Sequence, residues 1–541
     1  MSLAVFGVFG AVTQSDAGSA IKTPPVAWHA LAPMLILIGG AVVLLATSAL
    51  SRRRSLPGVY ALATVVTAFF AMFAAVPLWR EVTDPARGPF TAVAGAVAVD
   101  GFAIFFTFVI CAAVVLAALL ADGYLRREGL DGAELYVLIL LSASGGVIMA
   151  SANDLIVMFL GLEILSMAAY VLAAMHLRRA QSQEAGMKYF ILGAFSSAFF
   201  LYGIALIYGS TGSTNLGHIA TFSAPVGKVA GSVDPALLGS NPPALLLAGL
   251  ALLLVGFGFK IAAVPFHSWT PDVYQGSPTP VAGFMASAVK AAAFAGLLRV
   301  FVVAFANNRI DWQPYLYALA VATLLVGAVL AVVQTDVKRM LAYSSINHAG
   351  FILLGVQAGT LDGVSGALFY LAAYTFMVVG SFGVVALVSL RGDQHTSIDD
   401  FKGLSRGEPI LAFAFTVFLL GQAGVPLTSG FFAKFYVLEA AINAHSWPLA
   451  VTAMISAVIA AFVYLRIVVA MYMTESEEEM EAVAAAPVLP RRLRPNRLRV
   501  PFGAGLALAV AFAATVGIGF LPSPLADSSR DAVPTVTAPP K

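Results

Sequence analysis

The sequence predicts an all-α integral membrane protein of about 14 transmembrane helices, with two inverted five-helix repeats that each contain a broken helix. Three observations lead there. Of 541 residues, 60% are hydrophobic and only 11% charged, and the mean hydropathy is +0.90, far outside the range of soluble globular chains. The apolar runs are about 20 residues long, which suits a bilayer-crossing helix and is too long for a barrel strand. Finally, AAVP at 262–265 and AGVP at 423–426 interrupt two such runs, and an interior proline removes an N–H donor and clashes with the preceding turn.

The elements follow in order. Residues 1–27 are expected as an external leader, because MSLAVFGVFGAV is too short to span and no basic residue precedes Lys22, which argues against a cleaved signal peptide. Three N-terminal helices, centred in 28–50, 57–79 and 101–121, occupy 28–133. The first repeat, 134–304, holds spans near 134–152, 154–175, 188–209, 243–264 and 279–304. The second, 313–473, holds 313–333, 338–357, 364–390, 409–443 and 447–471. Five crossings per unit is an odd number, so successive copies are inverted across the membrane. A charged cytoplasmic loop at 474–500, a last helix at 501–521 and a disordered external tail at 522–541 complete the chain. The Ser-, Gly- and Pro-rich stretch 210–242 reads as an external loop.

Placing both termini outside puts 18 of the 30 basic residues in inside loops, SRRRS at 51–55 and Lys338 among them, and 7 outside. The positive-inside rule therefore supports the even count and this orientation together. The net charge of +2 makes no case for nucleic acid. A single cysteine, Cys111, can neither pair internally nor hold an iron–sulfur cluster.

Five basic residues remain inside spans: Lys260, Lys290, Arg299, Lys434 and Arg466. The two arginines can snorkel or pair nearer a membrane face, which leaves three lysines. Among acids only Glu163, in FLGLEILSMAAY, lies well inside a span, since Asp100 and Asp154 start helices and Glu439 is toward a helix end. A charge at mid-bilayer costs about 2.5–3.5 kcal/mol on insertion scales. Pairing for packing specificity explains one lysine; three amines against one carboxylate leave an excess. Titratable amines beside broken backbone, where freed groups hold water, instead suit a proton relay. His348, in SINHAGFILLG, and His267, just past the first break, suit a relay by their near-neutral titration, or are satisfied core histidines. TPDVYQGSPTP at 270–280 reads as a turn.

GLEILSMAAYVL, EAGMKYFILGAFSSAFFLYGIALIYGSTG, FKIAAVPFHSWTPDVYQGSPTPVAGFMASAVKAAAFAGLLRV, TDVKRMLAYSSINHAGFILLG and GVPLTSGFFAKFYVL occur in this order between about 100 and 475. Together they resemble the antiporter-like membrane subunits of the proton-pumping NADH–quinone oxidoreductase, respiratory complex I, and among them the subunit N branch. The resemblance implies that Glu163 and Lys260 form a switching ion pair, that Lys290 is the central relay and Lys434 the terminal donor or acceptor toward the outside, and that His348 lies on the connecting axis. A lysine at 434 matches subunit N better than its two sisters, and the absence of a long lateral helix and extra spans after 473 argues against the largest of them. The leader, the 210–242 loop and the tail are longer than the family leads one to expect.

The resemblance further implies a bacterial-type plasma membrane location and hetero-oligomeric assembly with other complex I membrane subunits, including the antiporter-like sisters, and with lipid. NADH, FMN, iron–sulfur clusters and quinone would be handled by partner subunits, with no cofactor in this chain. Two other readings stay open: a subunit of a multisubunit cation/proton antiporter, and a structural membrane-arm subunit without its own proton channel.

Overall fold

A computed structural model describes residues 26–50, 58–130, 132–222, 244–473 and 498–534. The 51–55 arginines, most of the leader and of the 210–242 loop, residues 474–497 of the charged loop and the end of the tail lie outside the described residues. The helices are α1 (Trp28–Leu50), α2 (Val59–Thr83), α3 (Gly101–Glu128), α4 (Glu134–Ser151), α5 (Leu155–Ala173), α6 (Ala180–Thr211), the short α7 (Leu216–Phe222), α8 (Ala244–Ile261) and α9 (Trp269–Gly276). The chain continues with α10 (Thr279–Ala304), α11 (Arg309–Val332), α12 (Val337–Ala358), α13 (Leu361–Val388), α14 (Pro409–Ala423), α15 (Ser429–Asn443), α16 (Trp447–Met473), α17 (Phe502–Phe520) and α18 (Ser523–Asp531).

Among the described residues, 12 helices are long and apolar enough to cross a membrane. The other two expected spans fall on α12 and on the pair α14 and α15. Lys338, Arg339, Asn347 and His348 make α12 polar, and the AGVP break splits the pair into halves of 15 residues each. Three helix starts are capped by aspartates: Asp100 accepts from Ala103 N, Asp154 from Ile156 N and Asp336 from Arg339 N. Such carboxylates satisfy orphan N–H groups at the positive end of the helix dipole.

Centrally placed, α10 is buried over its whole length except at Val302. Two π-helical turns interrupt it, Met285–Val289 immediately before Lys290 and Arg299–Ala304 beginning at Arg299. By contrast α1, α2, α6 and α16 present one apolar face outward, with Leu45, Phe69, Phe73, Phe195 and Val458 exposed, as helices facing lipid or a neighbouring subunit do.

Four features depart from the sequence expectation: most of the turn expected at 270–280 is the helix α9, α7 lies within the loop expected at 210–242, and two more follow. A small antiparallel hairpin, β1 (Phe90–Ala92) with β2 (Val97–Val99), closes the α2–α3 connection; strands of three residues are too short to show a period. The beginning of the expected disordered tail is instead the helix α18, opened by Pro522 and Pro524 near its start and with Ser529 buried. It lies so close to the start of α3 that a side chain at Gly101 would meet Asp531 O at 2.8 Å. Leu525 and Ala526 pack on the core, which a reading weighted toward prolines and polar residues misses.

Candidate functional site

Both breaks form where expected, and both end the preceding helix by the same device. At the first, Ala262 takes φ 61°, and Ala263 N donates to Gly258 O at 2.8 Å. At the second, Gly424 takes φ 91°, and Val425 N donates to Leu420 O at 3.0 Å. These six-residue closures satisfy the last carbonyls of a helix and need a left-handed residue at the corner. Two of the backbone groups at the first break are met by side chains: Trp269 Nε1 donates to Phe259 O at 2.9 Å and Thr323 Oγ1 accepts from Val264 N at 3.0 Å.

Lys260, in the last turn of α8, is buried. Its ammonium lies 5.0 Å from the centre of the Tyr170 ring, 5.3 Å from Tyr189 and 5.6 Å from Phe259, an aromatic cage of the kind that attracts cations. Its nearest recorded polar partner is the Tyr170 hydroxyl at 3.3 Å. Glu163 is half-buried on α5, where its carboxylate accepts from Ser197 Oγ. The switching ion pair implied by the resemblance is therefore not closed in this structure: Glu163 and Lys260 hold separate partners, Ser197 and Tyr170.

Lys290 follows the first π turn of α10 and donates to Ser345 O at 2.5 Å and to Ser345 Oγ. The adjacent Ser344 shares a hydrogen bond with Tyr464 OH at 2.6 Å and donates to Gln422 Oε1 at 3.2 Å. His348, one turn further along α12, bonds Tyr464 OH through Nε2 at 3.1 Å and Tyr370 OH through Nδ1 at 2.6 Å. Gln422 Nε2 continues the network to Ser381 Oγ at 2.7 Å. Lys434, near the start of α15, reaches back across the second break and donates to Ala423 O at 2.8 Å, with the Phe351 ring 4.8 Å away. The segment SSINH of α12 thus lies between Lys290 and the break that Lys434 caps.

Between Lys260 and Lys290 the packing is aromatic. Tyr170 meets Tyr189 edge-on at 4.7 Å, Tyr189 stacks on Trp269 at 4.4 Å, and Trp269 meets Tyr274 at 6.2 Å. The hydroxyls of Tyr189, Thr270, Thr279 and Tyr374 and the Asn347 side-chain oxygen are buried without a protein partner. His267 stands beyond the first break with its Nδ1 buried and unpartnered.

Among the described residues, two further buried cations are paired with carboxylates, Arg299 with Asp100 and Lys338 with Asp393, while the half-buried Arg466 has a backbone carbonyl. Arg299 makes a bidentate bond to Asp100 at 2.7 and 2.6 Å, and its Nε donates to Ala150 O at 2.6 Å. Arg466 donates to Val332 O at 2.8 Å. Lys338, expected as a loop charge, is fully buried against Asp393 at 3.2 Å and Ser277 O at 2.7 Å. Asp393 also receives Arg179 at 3.1 Å and Tyr124 OH at 3.0 Å. Burial by itself raises the Asp393 carboxyl; Lys338, Arg179 and the Ser389 hydroxyl outweigh it and hold the carboxyl below its ordinary value. Beside it Glu128 accepts Gly392 N at 2.9 Å and contacts His176 at 3.3 Å.

A bundle with two broken helices and a line of buried amines defines a class, the antiporter-like membrane proteins, and the chain belongs to the family described as NADH:quinone oxidoreductase/Mrp antiporter, TM, whose model matches residues 152–460. Its curated relatives narrow that class. NADH-quinone oxidoreductase subunit N of Trichlorobacter lovleyi is 42% identical over 464 residues, covering 86% of this chain and 88% of the relative. The protein of the same name from Salinispora arenicola is 42% identical over 539 residues, covering 95% and 99%. Among solved structures, a chain of respiratory complex I from Thermus thermophilus, with aureothin bound, matches with TM-score 0.71 at 32% identity, covering 94% of this chain and all 100% of that one. A chain of the Mrp complex from Dietzia sp. shares the fold, with TM-score 0.78 at 20% identity over 94% and 97% of the two chains.

Proposed function

We propose that this chain is the proton-translocating membrane subunit N of an NADH–quinone oxidoreductase, with Glu163, Lys260, Lys290, His348 and Lys434 as its relay. NADH, FMN, iron–sulfur clusters and quinone belong to partner subunits, and electron transfer there drives proton movement here. The observation that carries the reading is the Ser345–Ser344–His348 segment: it holds Lys290 at one end and, through Gln422, adjoins the carbonyl that holds Lys434. Hydroxyl, imidazole and amine groups in hydrogen-bond contact pass protons along such a chain.

Its 12 long apolar helices, α12 and the broken pair α14 and α15 make fourteen crossings, with both termini external. The segments α4–α10 and α11–α16 form two inverted units; in each the first two helices, α4 with α5 and α11 with α12, pack closely against each other. On this reading the Glu163–Lys260 pair is seen open. Closing it changes the field at Lys290: at an effective dielectric of about 20, moving a unit charge from roughly 8 to 4 Å is worth about 2 kcal/mol, enough to bias proton occupancy. Where the path between Lys260 and Lys290 lacks continuous side-chain bonds, the unpartnered hydroxyls of Tyr189 and Thr270 support bridging water.

The test is Lys290→Ala and Lys260→Ala in the assembled complex, reading protons moved per NADH oxidised. Loss of pumping or of coupled turnover, with assembly intact, is expected. An unchanged ratio in both variants would leave a structural subunit. The antiporter alternative would require the purified chain to travel without flavin and iron–sulfur subunits.

A further inference from the structure

A second site, away from the relay, lies at the end of α3 that carries Arg126 and Arg127. A cavity of about 300 Å³ opens there between α3, α13 and the start of α17. Its walls are apolar, formed by Leu120, Leu387 and Leu390 with Tyr124, while Arg127 and Arg499 supply two guanidinium groups. We propose that this cavity binds an anionic phospholipid, its headgroup phosphate between Arg127 and Arg499 and an acyl chain against the leucines.

The charge around it favours an anion. Arg127 spends Nη1 on Ala386 O at 2.7 Å and Nε on Glu128 at 3.4 Å, but its Nη2 is buried without a hydrogen-bond partner and lies 3.9 Å from Asp393, too far for one. Arg499 is exposed and has no ion-pair partner among the described residues. The nearby carboxylates are shared: Asp393, 3.9 Å from Arg127, is held by Lys338, Arg179 and Tyr124, and Glu128, paired with Arg127 at 3.4 Å, also takes Gly392 N and His176, so Arg499 is the cation left over at the cavity among the described residues. The start of α17, with no side-chain cap, opens on the same space through Pro501 and Ala504 and adds its positive dipole end. Guanidinium pairs match phosphate oxygens in geometry as well as charge, and basic pockets between transmembrane helices on the cytoplasmic side are suited to acidic headgroups. The leucine walls select a lipid over free phosphate, since a bare anion gains nothing from them. The volume takes a phosphodiester and the first part of one chain, and the rest of the tails lies along the apolar flank.

The test uses the assembled complex in nanodiscs of phosphatidylcholine with rising phosphatidylglycerol, read by native mass spectrometry for retained lipid and by a cryo-EM map of the cavity. The wild type is expected to retain phosphatidylglycerol over phosphatidylcholine, with density between the two arginines. Arg499→Ala, at an exposed position that does not threaten folding, is expected to weaken retention about fivefold, and Arg499→Lys to recover most of it. Arg127→Ala is expected to act in the same direction. Four results would overturn the proposal: equal retention by Arg499→Ala and wild type, equal retention of phosphatidylcholine, a neighbouring protein segment filling the cavity, or occupation by inorganic phosphate without lipid.

Discussion

Arg299 with Asp100 and Lys290 with Ser345 are two solutions to one problem, a cation buried inside the bundle. Arg299 has a carboxylate in bidentate contact and a backbone carbonyl besides. Lys290 has neutral oxygens only, and so do Lys260 and Lys434. A buried pair with its hydrogen bonds complete is a fixed structural element, because removing either member strands the other charge. An amine among neutral groups can lose its proton and leave nothing stranded. The difference separates a cation fixed by a carboxylate from amines held by neutral oxygens, and on the proposed reading it marks which of them take part in the relay, by partner rather than by depth.

The two breaks refine the same distinction. Lys260 precedes its break and rests among aromatic rings with one long contact to a hydroxyl, which can either accept from or donate to the amine. Lys434 follows its break and caps Ala423 O, which only accepts, at the negative end of α14. The Lys260 amine thus has a partner that suits either protonation state, whereas Lys434 has one that only accepts.

The largest expected effect tests the paired side of the comparison. Arg299→Ala should cost about 3–5 kcal/mol, read as loss of the subunit from the purified complex or a steep fall in its thermal unfolding temperature; normal recovery would erase the distinction. Asp393→Asn comes next, at about 1.5–3 kcal/mol near neutral pH. Its carboxyl is held below its ordinary value on folding, so its contribution is complete above the unfolded value of about 3.9 and disappears as pH falls through the lower folded value. Unfolding curves of the variant and wild type should accordingly converge in that acidic window, and a gap that persists below it would assign the loss to packing. Lys290→Met, on the unpaired side, should change stability by only about 1 kcal/mol while coupling is lost; a large drop in stability would make this lysine structural too. Smallest is Tyr170→Phe, which removes one hydroxyl from Lys260 and should slow coupled turnover about fivefold, with assembly unchanged. Unaltered turnover would show that the aromatic faces alone hold the amine.

The sequence shows the unpaired side more clearly than the paired side. Lys260, Lys290, Lys434 and Glu163 stand out because an ionisable residue in an apolar run is costly, and the breaks stand out because proline ends a helix. Ser344, Ser345, Tyr170, Tyr464 and Gln422 do not stand out in the sequence, because neutral polar residues in a spanning segment carry little insertion cost. The Arg299–Asp100 pair was half visible, since Asp100 also reads as a helix cap and indeed caps α3. Lys338 looked like a positive-inside loop charge because its partner Asp393 lies 55 residues away, a separation no local pattern encodes.

The most direct measurement is the protonation of the amines themselves during turnover. Infrared difference spectra of the assembled complex carrying ¹⁵N-lysine, before and after NADH addition, should show isotope-sensitive ammonium bands that change on reduction and diminish in Lys290→Met. Identical spectra in the two states, with NADH oxidised and protons still pumped, would contradict a relay built on these lysines.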